Sequence, residues 1–208
     1  LRRELVNERS LVYTWTGRDA SKPGVVLMSH QDVVPVEPGT EANWEQGPFS
    51  GAIAGGFVWG RGTMDTKSKL VALCEAVERL LRDGFQPTRT IHLVFGHDEE
   101  VGGRDGALVI AKRWEADGTR FDWVLDEGGT IAVGIVPGVA APVALIGIAE
   151  KGYMTLSLTA SAEGGHSSMP PPHTSIGILA TAIERVEGNP LPAALRGGAK
   201  VLTSVRVE

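Results

Sequence analysis

The chain has 208 residues, 42 % of them hydrophobic and 22 % charged, with a formal net charge of -5. That length accommodates one domain and part of a second, and the composition is that of an ordinary globular protein. The mild acidity, with neither sign gathered into long blocks, argues against a nucleic-acid partner, which leaves a basic face as its footprint. No uninterrupted apolar run is long enough to span a bilayer, so no membrane partner is expected. The opening LRRELVNERS lacks the apolar stretch of a secretory signal, but the chain begins without Met and an upstream targeting segment is compatible with it, so localisation stays open. The single cysteine, Cys74, excludes an internal disulfide, and its place in an amphipathic pattern marks it as a small buried hydrophobe.

Residues 24–29 (GVVLMS) form a continuous apolar run, expected as a strand buried on both faces. Residues 66–82 carry Leu70, Leu73, Cys74, Val77, Leu80 and Leu81 at three- and four-residue steps, which predicts a helix with one apolar face, ended by Gly84. Residues 90–95 read as a second buried strand, 107–114 as a short helix and 123–125 as the end of a further strand. Strand, helix, strand, helix, strand at this spacing implies an α/β fold, a mostly parallel sheet flanked by helices. The pattern changes after Gly152: residues 153–160 alternate as a strand with one wet face, as in an antiparallel sheet. A Pro-rich turn (169–172) and a helix (175–186) follow. A boundary near residues 148–152 is therefore expected, dividing residues 1–150 from a smaller, incomplete α+β domain over 151–208, too short for a core of its own.

Four acidic or histidine-bearing clusters follow the expected strands or their connecting loops: SHQDVVP (His30, Asp32), GRGTMDTK (Asp65), GHDEEVGG (Asp98, Glu99, Glu100) and LDEGG (Asp126, Glu127). In a parallel sheet the carboxyl ends of the strands form one rim where ligands bind, so these residues are expected to converge. One imidazole among several carboxylates suits a hard-to-borderline divalent cation, and the carboxylates outnumber the needs of one ion. His30 alone reads as a satisfied rim histidine, but Asp32 can accept the imidazole's other N–H and so favours a ligand. Asp65 is well typed as the N-cap of the following helix, yet a carboxylate approached through Gly60-Arg61-Gly62 can also bridge two cations. Asp98-Glu99-Glu100 reads as a solvated acidic loop or as a division of labour, one glutamate binding metal and its neighbour taking a proton from water. Either Asp126 or Glu127 can reach a second cation, while the glycines after them also fit a plain turn. His92 reads as packing, and His97 as a contact of the site or a loop hydrogen bond. His166, in GGHSSMPP, is a loop residue or a hydrogen-bond donor to a developing oxyanion.

In this order and spacing, SHQDVVP, GRGTMDTK, GHDEEVGG, LDEGG and GGHSSMPP resemble the metallopeptidase family that contains carboxypeptidase S and aminoacylase. GHDEEVGG and WEQGPFSG (44–51) point to the carboxypeptidase S branch, which also includes secreted N-acyl-amino-acid hydrolases. The resemblance implies a zinc exopeptidase-like fold with a smaller lid and dimerisation domain, hence a homodimer. It implies two Zn2+ ions per complete site, with Co2+ or Mn2+ as substitutes. The reaction implied is hydrolysis of an amide bond beside a free carboxylate, in small peptides or N-acyl amino acids. His30 would bind one zinc with Asp32 orienting it, Asp65 would bridge both through a cis peptide to Thr66, and Glu100 would bind one zinc. Glu99 would be the general base, Glu127 rather than Asp126 the remaining acidic ligand, and His166 would reach the active site of the partner subunit. The family also supplies a last zinc-binding histidine from a later segment. No remaining histidine here fits that place, His173 lying too close to the Pro-rich turn. A partial chain is therefore expected, with a non-catalytic fragment able to fold or dimerise as the alternative. A serine hydrolase is disfavoured, because no G-x-S-x-G elbow occurs.

Overall fold

The computed structural model describes residues 1–128, 131–148 and 152–194. The chain separates into two compact units, Leu1–Gly128 and Gly129–Glu208. The boundary expected near 148–152 lies later in the chain, partly on residues 149–151, which are outside the described ones.

In the first unit the elements run β1 (Arg2–Val6), β2 (Ser10–Trp15), β3 (Gly24–His30), β4 (Ile53–Ala54), β5 (Phe57–Val58), α1 (Ser68–Arg82), β6 (Ile91–Gly96), α2 (Ala107–Ala116) and β7 (Phe121–Leu125). The main sheet has the order β1-β2-β6-β3-β7, and β4 pairs with β5 in a separate small ribbon. β3 runs parallel to both β6 and β7, with Val26 beside His92 and Val124, and His30 beside Gly96. This is the α/β architecture expected from the sequence, a sheet with its parallel strands flanked by helices. β2 joins β6 antiparallel, and β1 joins β2 through a hairpin, so the sheet is mixed.

The two faces of the sheet follow the period of two along its strands. Val12, Val26 and Val94 point to one side and pack with Ile110 of α2, joined by Met28, Trp114 and Phe121. Trp15, Leu93 and Phe95 point to the other and pack with Val77 of α1, joined by Leu27, Leu70 and Leu73. α1 and α2 therefore cover opposite faces and hold the strands between two apolar layers. His92 lies among Trp114 and Phe121, ring centroids 5.2 and 5.5 Å away, and burial lowers its pKa. It is a packing residue, as its flanking isoleucine and leucine suggest.

Three local expectations need correction. α1 begins at Ser68, because residues Thr63–Lys67 form a kinked, helix-like turn in which Asp65 and Thr66 leave helical geometry. Cys74 is exposed, because the buried stripe of α1 centres on Leu70, Leu73 and Val77 and leaves Cys74 to one side. Residues 153–160 form no strand and are almost wholly exposed. Alternation prepares a segment for a sheet, but a strand persists only when a neighbour pairs its backbone, and none does so among the described residues.

In the second unit β8 (Ile131–Ala132) pairs antiparallel with β9 (Val143–Ala144), and α3 spans Ser175–Gly188. α3 starts where the sequence places it, with the Thr174 hydroxyl accepting from the Gly177 N–H at 3.2 Å, an N-cap bond. Among the described residues no helix is long and apolar enough to cross a membrane.

The approach of the Gly60–Gly62 turn to the end of β3 depends on one missing side chain. Gly62 has φ +83°, and a Cβ there would collide with Val33 Cγ1 and lie 3.1 Å from Lys67 Nζ. Gly62→Ala is expected to destabilise the protein by about 1–3 kcal/mol through strain and overpacking. The check is a urea denaturation curve: the midpoint should fall at unchanged slope, and an unchanged midpoint would mean that the two loops separate freely.

Candidate metal centre

The parallel strands end toward one rim, and the clusters after β3, β6 and β7 leave from it. His30 is the last residue of β3 and is 3 % exposed. Its Nδ1 lies 2.9 Å from the Asp32 main-chain carbonyl oxygen and 3.4 Å from the Asp32 carboxylate. The carbonyl is thus the closer partner, and it fixes the ring with Nε2 facing outward. Asp32 Oδ2 accepts the Glu100 N–H at 3.0 Å and ties the β3 loop to the loop after β6. Its Oδ1 is buried and makes no hydrogen bond among the described residues.

Asp65 sits in the kinked turn before α1. The Asp65–Thr66 peptide is cis. The turn is held to β3 by Ser29, whose hydroxyl donates to the Thr66 carbonyl at 3.1 Å, and by Lys67, whose Nζ donates to the Gln31 carbonyl at 2.7 Å. No side-chain cap bond forms at this helix start, so the capping reading of Asp65 gives way. Its carboxylate instead lies 3.0 Å from His30 Nε2.

Glu127 Oε2 approaches the same nitrogen to 3.1 Å, and Glu99 Oε2 to 3.8 Å. One imidazole nitrogen has at most one proton to donate, so these oxygens cannot all be satisfied by it. Ligand atoms of His30, Asp65 and Glu127 lie within 4.8 Å of one another, as do those of His30, Glu99 and Glu100. Asp126 stands aside, its Oδ1 accepting the Glu127 N–H at 2.8 Å. Of the two acidic residues after β7, Glu127 is the one the fold turns toward His30.

The electrostatics follow from this crowding. Burial disfavours charge on His30, but the Asp32 carbonyl, then Glu127, Asp65 and Glu99, outweigh it and hold its pKa above the ordinary value. Burial, reinforced by Glu127, Glu100 and Asp32, raises Glu99 against the pull of His30. Burial also raises Glu127, with Asp65 and Asp126 adding to the effect while His30 and Lys69 oppose it. Lys69, in the first turn of α1, has its Nζ buried without a hydrogen-bond partner among the described residues, and burial lowers its pKa against the attraction of Asp126 and Glu127. Sequence reading missed Lys69; the only signal was a second lysine, two residues after Lys67, in the turn that follows Asp65.

This donor set fits a divalent cation. It combines one imidazole nitrogen, oriented by a hydrogen bond at its other nitrogen, with surplus carboxylate oxygens, the mixture that suits zinc and its near relatives. Beside Asp65 and Glu100 opens a cleft of about 220 Å3 with apolar walls at Val34, Trp44 and Met64. His97 Nδ1 is 2.7 Å from the hydroxyl of Ser10, so it bonds to the scaffold. His166 and His173 are exposed in the second unit, where His166 Nδ1 lies 2.8 Å from the Ser168 hydroxyl.

Residues 26–202 match Peptidase family M20/M25/M40, and the chain belongs to that family. It is 43 % identical over 192 residues to an N-fatty-acyl-amino acid synthase/hydrolase of Danio rerio, covering 92 % of this chain and 37 % of that protein. It is 45 % identical over 197 residues to carboxypeptidase S of Saccharomyces cerevisiae, covering 91 % of this chain and 33 % of that one. Among solved structures, an M20 family metallo-carboxypeptidase from Sulfolobus solfataricus matches with a TM-score of 0.51 and 25 % identity, over 61 % of this chain and 28 % of the other. Human carnosine dipeptidase 1 shares the fold, with a TM-score of 0.50 at 22 % identity over 60 % of this chain and 26 % of the other. The chain spans between a third and two fifths of the length of the curated relatives it matches.

The raised pKa of His30 sets the sign of two pH effects. Protons and a cation compete for Nε2, so affinity for Zn2+ is expected to fall as pH is lowered through that raised value. In chelator the order reverses. A histidine raised on folding contributes stability below its unfolded pKa, near 6.5, and loses it as pH climbs through the folded value. The raised Glu99 and Glu127 act in the same direction, because their ionised forms are the ones the fold disfavours. Denaturation curves with and without Zn2+ across this range check both signs; parallel curves would remove His30 from the metal site.

Proposed function

We propose that the chain carries the metal-binding rim and the general base of a two-metal hydrolase that cleaves an amide bond beside a free carboxylate, in small peptides or N-acyl amino acids. The single observation behind this reading is the approach of three carboxylates, Asp65, Glu99 and Glu127, to within 3.8 Å of one buried imidazole nitrogen. Family membership and the printed activities of the relatives, a carboxypeptidase and an N-fatty-acyl-amino acid synthase/hydrolase, support the substrate class.

His30, Asp65 and Glu127 would hold one cation and Glu100 a second, with Asp65 shared. Zinc is the favoured ion, with cobalt or manganese as substitutes. When bound, such a pair supplies Lewis acidity that polarises a carbonyl and brings the pKa of water toward about 7. The chain's own residues then divide the work. Asp32 keeps the His30 ring oriented through its carbonyl and clamps the Glu100 N–H through its carboxylate. Glu99 is half-exposed at the mouth of the site, and burial with neighbouring acids raises its pKa, which suits a group that takes a proton from the attacking water and returns it to the leaving amine. The apolar cleft at Val34, Trp44 and Met64 offers a surface for one flank of the substrate. His166 would donate a hydrogen bond to the oxyanion from a partner subunit, within a homodimer formed through the second unit.

Glu99→Gln tests the assignment, because it keeps the shape and removes the base. In the intact protein it is expected to leave zinc content unchanged and to cut hydrolysis of dipeptides and N-acyl amino acids by at least about 100-fold, the scale of general-base catalysis. Preserved turnover would transfer the base role to another residue. Asp65→Ala is expected to lose metal instead, measured as bound zinc after gel filtration; full stoichiometry there would remove the shared-ligand role.

A further inference from the structure

Glu99 and Glu100 sit on a short helical turn, Glu99–Val101, between β6 and α2. The residue before them, Asp98, is buried and does not face the metal cluster. Its main-chain carbonyl accepts from the Gly103 N–H at 2.7 Å and the Val101 N–H at 3.3 Å. Its carboxylate Oδ2 accepts from the Asp105 N–H at 2.7 Å. Asp98 thus closes the loop from both ends, through its backbone to residues 101 and 103 and through its side chain to residue 105.

The scaffold beneath is built to receive this carboxylate. Asp98 Oδ1 is buried with no hydrogen-bond partner among the described residues, in the space left by the missing side chain of Gly106. A Cβ on Gly106 would collide with that oxygen and come within 2.8 Å of the Ser10 hydroxyl and 3.4 Å of His97 Nδ1. Ser10 is fully buried, and its hydroxyl meets His97 Nδ1 at 2.7 Å. Asn7, in the β1–β2 turn, donates its side-chain amide to the Asp105 carbonyl at 2.7 Å. The inner side of the loop is therefore fastened at residues 97, 98 and 105, while its outer side presents Glu99 and Glu100 toward His30 and Asp32.

We propose that Asp98 is a positioning residue: its buried carboxylate, seated over Gly106, sets the register of the Glu99–Glu100 turn against the rim. Asp98 touches neither substrate nor metal and acts through the loop alone. This rests on Glu99 being the base, because a displaced base is what would be felt in turnover. A misplacement of about 1 Å at a reacting group can cost on the order of 100-fold in rate.

The test uses the intact protein and the best substrate from a panel of dipeptides and N-acetyl amino acids. Asp98→Ala removes the clamp, Asp98→Asn keeps an acceptor for the Asp105 N–H, and Gly106→Ala leaves Asp98 in place but pushes its carboxylate aside. Expected are a kcat lowered about 10- to 100-fold in Asp98→Ala and Gly106→Ala, with KM within about twofold. Because Glu100 rides on the same turn, the ion it would hold should bind more weakly in both, so kcat is read at saturating Zn2+, and it should recover in Asp98→Asn. A purely structural role would lower the melting temperature of Asp98→Ala while leaving kcat of the folded protein intact, and that result would overturn the proposal. So would equal losses in Asp98→Asn and Asp98→Ala. If Asp98→Ala fails to fold, Gly106→Ala against Asp98→Asn decides the matter on the same readouts. Glu99→Gln run alongside separates the two levels. An active Glu99→Gln sinks the assigned base, whereas an inactive one beside a fully active Asp98→Ala sinks only the clamp.

Discussion

The structure depends on holding like charges together. Asp65, Glu99 and Glu127 approach one nitrogen of His30, with Asp32 and Glu100 close behind, and that imidazole cannot neutralise them. Left to themselves these carboxylates would separate; burial first, and then the neighbouring acids, raise the pKa of Glu99 and Glu127, which expresses the cost of holding charge there. A divalent cation reverses the sign of that cost. The arrangement is favourable once positive charge is present, and unfavourable before.

What resists the repulsion is the parallel core of the sheet. β3 pairs with β6 on one side and β7 on the other, in registers that set His30 beside Gly96 and Leu125 beside Leu27, so all three strands run toward one edge. The two apolar layers against α1 and α2 fix those strands, so the loops that leave them start from set points. Hydrogen bonds then tie loop to loop: Asp32 to Glu100, Ser29 to Thr66, Lys67 to Gln31. No single loop could hold its carboxylate against the others; the three are held because each is fastened to a strand end or to its neighbour.

Much of this was legible in the sequence because it rests on patterns that sequence carries directly. Continuous apolar runs marked β3 and β6, a three- and four-residue repeat marked α1, and acids immediately after apolar runs marked the rim. The pair Asp126-Glu127 was not resolvable that way, because two adjacent carboxylates in a turn differ only in the direction the backbone gives them. Asp65 looked like a cap because caps and rim ligands share a residue type and a position, and only the departure of its backbone from helical geometry separates them. β1 carries Arg2, Arg3 and Glu4, charges that keep an edge strand from pairing with other chains and that also hide it from a hydrophobicity reading. Lys69 was out of reach because the acids near it lie far along the chain, and the seat of Asp98 over Gly106 because the path of that loop follows no periodic pattern. The alternation at residues 153–160 gave the opposite lesson: a strand pattern without a paired neighbour is only a pattern.

The most direct measurement is anomalous diffraction at the zinc edge from crystals of the protein grown with Zn2+. The proposed two-metal site predicts two peaks about 3.5–4 Å apart, with Asp65 between them, His30 and Glu127 at one and Glu100 at the other. Zinc bound away from His30, or His30, Asp65 and Glu100 found in separate surroundings, would contradict it.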